Sequence, residues 1–350
     1  MPAPEDQVEF LKTFQRLLEE GSFVSTYKLA LLHALADLCV EEIDDGEGKT
    51  RIGLSALAEK FVELYWGQAA PYTFMVHDGV GHVLWQSTSG QARILNLVAQ
   101  ARLRSNGSLS HARRDPSRWQ RLLREVRTTI EGMPLWKLQN IAGEIVEFIY
   151  EQKLLVDQHI VLLPGVAANF RRFHPLLVGL IQGAWMRQIR AIAQNQTILG
   201  PSRDLAEFLF GSERGTLTKH ETVLRELQSG ICFYCERALN QGDGAVDHFV
   251  PWTKYPRDLP HNFVLAHAKC NGAKRDFLAA PEHLGRWIRR NDSQHNELAS
   301  RFDSLGIAHD RQASTGIAHW AYQQAEDSKA KVWVREKTLI PLNHEWRACF

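Results

Sequence analysis

No stretch of this 350-residue chain is apolar for the length that a membrane span requires, and no internal repeat or low-complexity tract is present. A membrane partner is therefore not expected. The opening residues, Met1-Pro2-Ala3-Pro4-Glu5-Asp6, contain no basic stretch leading into an apolar core, so no signal peptide is expected either. Charge of one sign is also missing: 41 basic and 40 acidic residues leave a formal net charge of +1. That balance excludes a global attraction to nucleic acid, and any such surface has to be local. Cysteine is sparse. Of the five present, three fall in one short segment, which argues for a reducing, cytoplasmic setting and against a disulfide framework. With 44% hydrophobic and 23% charged residues, the chain can bury an ordinary core and has room for two or three domains.

What is present is concentrated between Cys232 and Arg275. Cys232-x-x-Cys235 and His267-x-x-Cys270 are two pairs of metal-ligand residues at knuckle spacing, and two knuckles supply the four N/S donors of a closed tetrahedral zinc site. The bland alternative is ordinary buried thiols, since cysteine packs well as a small hydrophobe. Three of five cysteines at this spacing favour the metal.

Between the knuckles lie Asp247-His248, Asn262 and, just after the last cysteine, Asn271. Phosphodiester hydrolysis needs an activated water, a cation against the charge that builds on the phosphoryl oxygens, and help for the departing alkoxide. Asp247 offers a hard oxygen to Mg²⁺ or a similar cation, and Asn271 offers a second. His248 can take a proton from water, with Asn262 expected to orient it through a hydrogen bond. Neighbouring side chains on a strand point to opposite faces. For Asp247 and His248 to serve one site the backbone has to bend there, and Phe249-Val250-Pro251 suggests a strand running out into a loop.

Taken in order, Asp247-His248-x-x-Pro251, Asn262 and Cys270-Asn271-x-x-Lys274 resemble the HNH endonuclease motif, whose fold is a β-hairpin and helix around a metal. The resemblance implies His248 as general base and Asp247 and Asn271 as ligands of a catalytic Mg²⁺ or Mn²⁺. It makes Asn262 the middle Asn of the motif and places Cys232, Cys235, His267 and Cys270 around a structural zinc. Two departures stand out: His267 replaces a usual cysteine, and Asn271 stands where some members have histidine. The match covers roughly an eighth of the chain. A lone Asp-His pair is usually surface polarity, but six elements in order outweigh that reading.

Elsewhere the patterning is mostly helical. Helices are expected over 5–20, from Ser25 or Thr26 to about Asp44, and over 55–66, 91–103 and 141–150. A further one is expected from Pro116 or Ser117, and a long one over 166–195 broken near His174-Pro175. His33 and Cys39 read as core residues rather than ligands. Tyr65, Trp66 and Tyr72 are positioned either to stack on bases or, more often for such clusters, to fill the core. Gly79 and Gly81 suggest a turn and Val83-Leu84-Trp85 a short strand, Lys153–Val156 with Ile160–Leu163 a small hairpin, and 205–210 and 217–228 connecting helices that lead into the first knuckle. Between Arg102 and Arg127 there are eight arginines against two acids, and Arg118, Arg121, Arg124 and Arg127 recur every third residue. Such a stripe suits phosphates or a solvated helix face. The nuclease-like motif elsewhere in the chain favours phosphates. After the motif, Lys274, Arg275, Arg286, Arg289 and Arg290 are expected near a DNA backbone, Lys274 first among them. Residues 292–350, with Trp333, Trp346 and Phe350, are expected to pack on the nuclease module.

The expected fold is mainly α with a small α+β module. A helical recognition or partner domain over 1–198 precedes a ββα-metal (HNH) domain over 199–350, with the motif core at 230–280. Tyr27–Leu32, Leu162–Gly165 and Phe208–Gly211 are similar to predicted HNH nucleases of bacterial restriction and anti-phage loci. That resemblance implies a metal-dependent endonuclease cutting duplex DNA in defence, with a protein partner from the same system and a homodimer if both strands are cut. A non-cleaving zinc module that binds nucleic acid, and an RNA-directed HNH nuclease, are the competing readings.

Overall fold

The computed structural model describes residues 2–42, 50–72, 82–199, 204–211, 218–240, 242–305 and 307–350. The fold is mainly helical, with small two- and three-stranded sheets. The chain divides into two compact units: Met1–Val40 with Asp44–Gly211, and Glu41–Ile43 with Ser212–Phe350. The division expected from sequence was at 198.

The first unit contains nine described helices: α1 (Pro4–Glu20), α2 (Tyr27–Glu41), α3 (Leu54–Gln68), α4 (Arg93–Arg104), α5 (Leu109–Arg113), α6 (Pro116–Gly132), α7 (Pro134–Lys137), α8 (Val166–Ala191) and α9 (Leu205–Phe210). Proline at the first turn starts α1, and Phe10, Phe14 and Leu17 form its buried stripe. In α2 nearly every side chain is buried, so this helix runs through the core. Tyr65, Trp66 and Tyr72 are core residues, as are Leu205, Phe208 and Leu209 of α9. The helix expected over Leu205–Phe210 is present, and its apolar side chains belong to the first unit's core. His33 and Cys39 are buried too. The Asp37 carboxylate lies 2.9 Å from His174 Nε2 and 3.6 Å from His33 Nδ1. Burial alone would raise its pKa, but His33, His174 and Lys60 hold it well below the usual carboxylate range.

Three local expectations are corrected. The segment 141–150 is not a helix. Strands β2 (Asn140–Ile141) and β3 (Glu144–Ile145) pair across Ala142 and Gly143, both with positive φ, which is the geometry of a tight two-residue hairpin turn. Gln139 fastens the backbone of residues 148–150: its Oε1 accepts from the N–H groups of Phe148, Ile149 and Tyr150, and its Nε2 donates to Tyr150 O. Nor is α8 broken at Pro175. It runs through, because Phe170, Leu177, Ile181 and Trp185 bury its face on either side of the lost hydrogen bond. Val83-Leu84-Trp85 forms no strand. Trp85 is pinned instead by Asn195, which accepts from its N–H at 2.7 Å and donates to its carbonyl at 2.9 Å. The glycines at 79 and 81, expected in a turn, lie outside the described residues. The hairpin expected around 153–163 is present as β4 (Tyr150–Val156) and β5 (His159–Leu162), with β1 (Arg51–Gly53) added beside β5.

In the second unit, α10 (Thr218–Leu227) precedes an antiparallel pair, β6 (Gly244–His248) and β7 (Phe263–His267), and then α11 (Ala268–Lys274). Register pairs Gly244 with His267, Asp247 with Val264 and His248 with Phe263. Both strands pack against α11. Helices α12 (Pro281–Ser293), α13 (His295–Leu305) and α14 (Arg311–Asp327) come next, then a hairpin, β8 (Lys331–Arg335) and β9 (Thr338–Pro341). Phe249 stacks on Trp287 of α12 at 5.0 Å and 9°, and Trp333 of β8 meets Tyr234 edge-on at 5.1 Å. These contacts fix α12 and β8 to the segment that carries the knuckles. Among the described residues, no helix is long and apolar enough to cross a membrane.

Candidate functional site

The knuckle at Cys232–Cys235 is a tight turn. Cys232 N donates to Arg237 O, Glu236 N donates back to Cys232 O, and Glu236 adopts a left-handed φ of 58°. Two anchors hold this turn against β7: Phe233 N donates to Leu265 O, and Gln228 clamps the backbone N–H and C=O of Leu265. His267 ends β7 and Cys270 lies in the first turn of α11. The four ligand atoms of Cys232, Cys235, His267 and Cys270 consequently lie within 4.8 Å of one another. They can hold a metal ion such as zinc.

The tautomer of His267 suits that role. Its Nε2 is 3.1 Å from Ala238 O, which can only accept, so Nε2 carries the proton and Nδ1 offers its lone pair. Nδ1 is the atom that faces Cys235 Sγ, at 3.3 Å. Burial pushes the Cys232 thiol up, but backbone N–H groups of Cys235, His267 and Tyr234 more than offset this and bring it down to about 7. Cys270 is pushed up to about 12 by burial and by the sulfurs of Cys232 and Cys235. Sulfurs that oppose each other's ionisation are what a divalent cation at their centre would reverse, since it draws thiols into the thiolate form.

On the first strand, Asp247 is buried with its carboxylate turned towards α11. Tyr234 Oη donates to Asp247 Oδ2 at 2.5 Å, and Lys274 Nζ is 3.0 Å from the same oxygen. Lys274 also donates to the carbonyl of His248 at 2.9 Å and lies 5.9 Å from the Tyr234 ring centre. Its side chain is 0% exposed. Burial lowers its pKa, and Asp247 partly restores it. The expectation that Lys274 grips a DNA phosphate is therefore corrected: α11 turns this ammonium inward, where it ties Asp247 to the backbone of His248.

His248 is the last residue of β6, and the chain bends away at Phe249 and Val250, as expected. Its ring faces Asp258, Trp252 and Phe263, not Asp247. Asn262 does not orient it, a second correction. The Asn262 amide accepts from Val250 N at 2.8 Å and donates to Val250 O at 2.9 Å, closing the loop that leaves β6. Asp258 was missed by sequence reasoning. It is the carboxylate 2.7 Å from His248 Nε2, and no motif spacing announced it. Asn271 is half-buried on α11, and its side chain makes no hydrogen bond among the described residues. One oxygen of Asp247 and the Asn271 amide oxygen are hard donors that suit a cation retaining most of its water.

The cationic residues separate into two groups. Arg275 is exposed at the end of α11. Arg286 is taken up by the knuckle: it pairs with Glu236, reaches Tyr234 O at 3.3 Å and lies over Phe233. Arg290 is half-buried and donates to the carbonyls of His261 and Phe263. These two position backbone and do not present charge to a ligand. In the first unit, Arg118, Arg121 and Arg124 are exposed on α6, opposite the buried Trp119, Leu122, Leu123, Val126 and Ile130. Arg118 makes a 3.2 Å ion pair with Asp115, and Arg127 bonds to Gln158.

Residues 7–209 match the model of a family described as a domain of unknown function (DUF8808). Searches of curated proteins and of solved structures return no match.

Metal analysis of the purified chain is expected to find about one zinc per molecule, lost together with the folded second unit on chelation. Cys235→Ser should lower that content severalfold; a metal content unchanged by it would remove the centre. Replacing Lys274 by Met leaves a buried carboxylate without its counter-charge. Both partners are nearly inaccessible, so equilibrium urea unfolding should register a loss of about 3 kcal/mol.

Proposed function

The chain belongs to the DUF8808 family, and we propose that its second unit is a metal-dependent DNA endonuclease of the ββα-metal (HNH) kind. The observation that carries this reading is the β6–β7–α11 arrangement. A four-donor cluster that can hold a metal ion lies at one end, Asp247 and His248 end the first strand, and Asn271 lies on the helix. The oxygens of Asp247 and Asn271 would hold a catalytic Mg²⁺ or Mn²⁺. When bound, such a cation supplies neutralisation of the charge that develops on the phosphoryl oxygens.

The chain's own residues do the rest. Water attacks phosphorus as its proton passes to His248. The new O–P bond forms while an ester P–O bond breaks, and the departing oxygen takes a proton from solvent. The imidazolium then returns its proton to water. Tyr234 and Lys274 hold Asp247 in place, and Lys274 holds the His248 backbone, so the two motif residues keep a fixed relation through one buried ammonium. Arg275, and the exposed Arg118, Arg121 and Arg124 of the first unit, supply phosphate contacts. A role in bacterial restriction or anti-phage defence, with a partner protein or as a homodimer, rests on the resemblance of 27–32, 162–165 and 208–211.

One observation favours a second reading, a zinc-containing module that binds nucleic acid without cutting it: Lys274 occupies one oxygen of Asp247, which halves what the carboxylate offers a cation. Plasmid nicking in Mg²⁺ or Mn²⁺ separates the two readings. The wild type is expected to nick, with His248→Ala slower by about 10²-fold or more. Equal nicking by both proteins would overturn the mechanism, and retained binding with no nicking by either would favour the module. Structured RNA offered in competition with duplex DNA tests the nucleic acid preferred. Reversing Arg118, Arg121 and Arg124 to Glu should weaken DNA binding and flatten the dependence of log K on log[salt] by about 2 to 3.

A further inference from the structure

The His248 ring is enclosed by Phe263, edge-on at 4.8 Å between centroids and 86°, by Trp252 at 5.3 Å and 67°, and by the Asp258 carboxylate. Asp258 lies in the loop between β6 and β7, which Asn262 clamps at Val250. Its Oδ1 is 2.7 Å from His248 Nε2, and among the described residues its side chain makes no other hydrogen bond or ion pair. The contact differs from an ordinary surface pair. In the His309–Asp303 contact of the same unit the carboxylate is 74% exposed and the distance 3.2 Å, whereas Asp258 is 25% exposed and His248 17%.

A carboxylate only accepts, so the proton of a neutral His248 resides on Nε2 and the lone pair on Nδ1. We propose that Asp258 is the positioning residue of this site: it fixes the His248 tautomer and ring orientation so that Nδ1 is the atom that receives the proton from water. This deepens the nuclease reading and rests on it for its consequence, while the tautomer itself can be read without turnover. Lys274 complements Asp258 by holding the carbonyl of His248, so ring and backbone are fixed from opposite ends of the residue.

Two measurements on the full chain test the assignment. In ¹⁵N-histidine-labelled protein at a pH where His248 is neutral, with its signals identified by their loss in His248→Gln, Nε2 should resonate as the protonated nitrogen and Nδ1 as the bare one. The isosteric Asp258→Asn offers both donor and acceptor and so no longer dictates the choice; the two nitrogens should move towards averaged positions. A proton found on Nδ1 in the wild type, or signals unmoved in the variant, would overturn the proposal whether or not the protein cuts DNA. In the nicking assay, Asp258→Asn should lower kcat by 10- to 100-fold with KM within about twofold. Added to His248→Ala, it should cause no further loss, because it acts only through the ring. A merely structural Asp258 would raise KM, or multiply its effect onto that of His248→Ala. A wild type that nicks no DNA would sink the nuclease reading and leave the tautomer assignment to the spectrum.

Discussion

The second unit depends on a closure in which four donors from three short segments meet: the turn at Cys232–Cys235, the end of β7 at His267 and the first turn of α11 at Cys270. The two-stranded β6–β7 ribbon gains little from its own ladder, since isolated hairpins are marginal in water. A seven-residue helix such as α11 is likewise far below the length at which helices stand alone. A metal ion held by these donors would fasten the turn, the strand end and the helix start to one point and convert three weak elements into a single rigid frame. The bonds of the Phe233 N–H and the Gln228 side chain to the Leu265 backbone tie the turn along β7, towards its pairing with His248.

The buried Lys274–Asp247 pair adds a second constraint, of a different kind. Two charges taken out of water cost more than most contacts return unless further hydrogen bonds meet them. Here Tyr234 meets the carboxylate, and the carbonyl of His248 meets the ammonium. The pair is thus satisfied only when β6, α11 and the knuckle turn are all in place, which makes it a lock on geometry more than a source of stability. It also holds neighbouring strand residues in a fixed relation while they face opposite ways. Asp247 is held from the α11 side, His248 from the loop side, and the one ammonium contacts both residues.

The features legible in the sequence are those that obey local rules. Ligand spacing revealed the metal quartet, because both knuckles are contiguous in sequence. Apolar periodicity revealed most helices, and the start expected at Pro116 or Ser117 is where α6 begins, with the Asp115 side chain capping it in the structure. The features that stayed hidden depend on orientation and distance. Lys274 has the residue type and position of a phosphate contact, but its helix register turns it inward. Asp258 meets His248 only because the loop closed by Asn262 brings it back, and no periodicity encodes that return. The segment 141–150 has helical composition, yet Ala142 and Gly143 take left-handed conformations and turn it into a hairpin.

The family match ends at residue 209 and the first compact unit ends at Gly211. The family is therefore defined by the helical unit, while the metal quartet, Asp247, His248 and Asp258 all lie beyond it. Within the matched unit, the charged groups form two patterns. Asp37, His33 and His174 meet in the interior, where such a polar network specifies packing. Arg118, Arg121 and Arg124 stand on the solvent side of α6, against an apolar face of five buried side chains. A helix needs only its apolar face to be held in a core; three arginines at three-residue spacing add nothing to that packing and place like charges side by side, at a small cost to the helix. Arg118 is offset in part by Asp115, and the proposed phosphate contacts would give the other two a use that packing does not, which is why charge reversal along α6 tests recognition without touching the core.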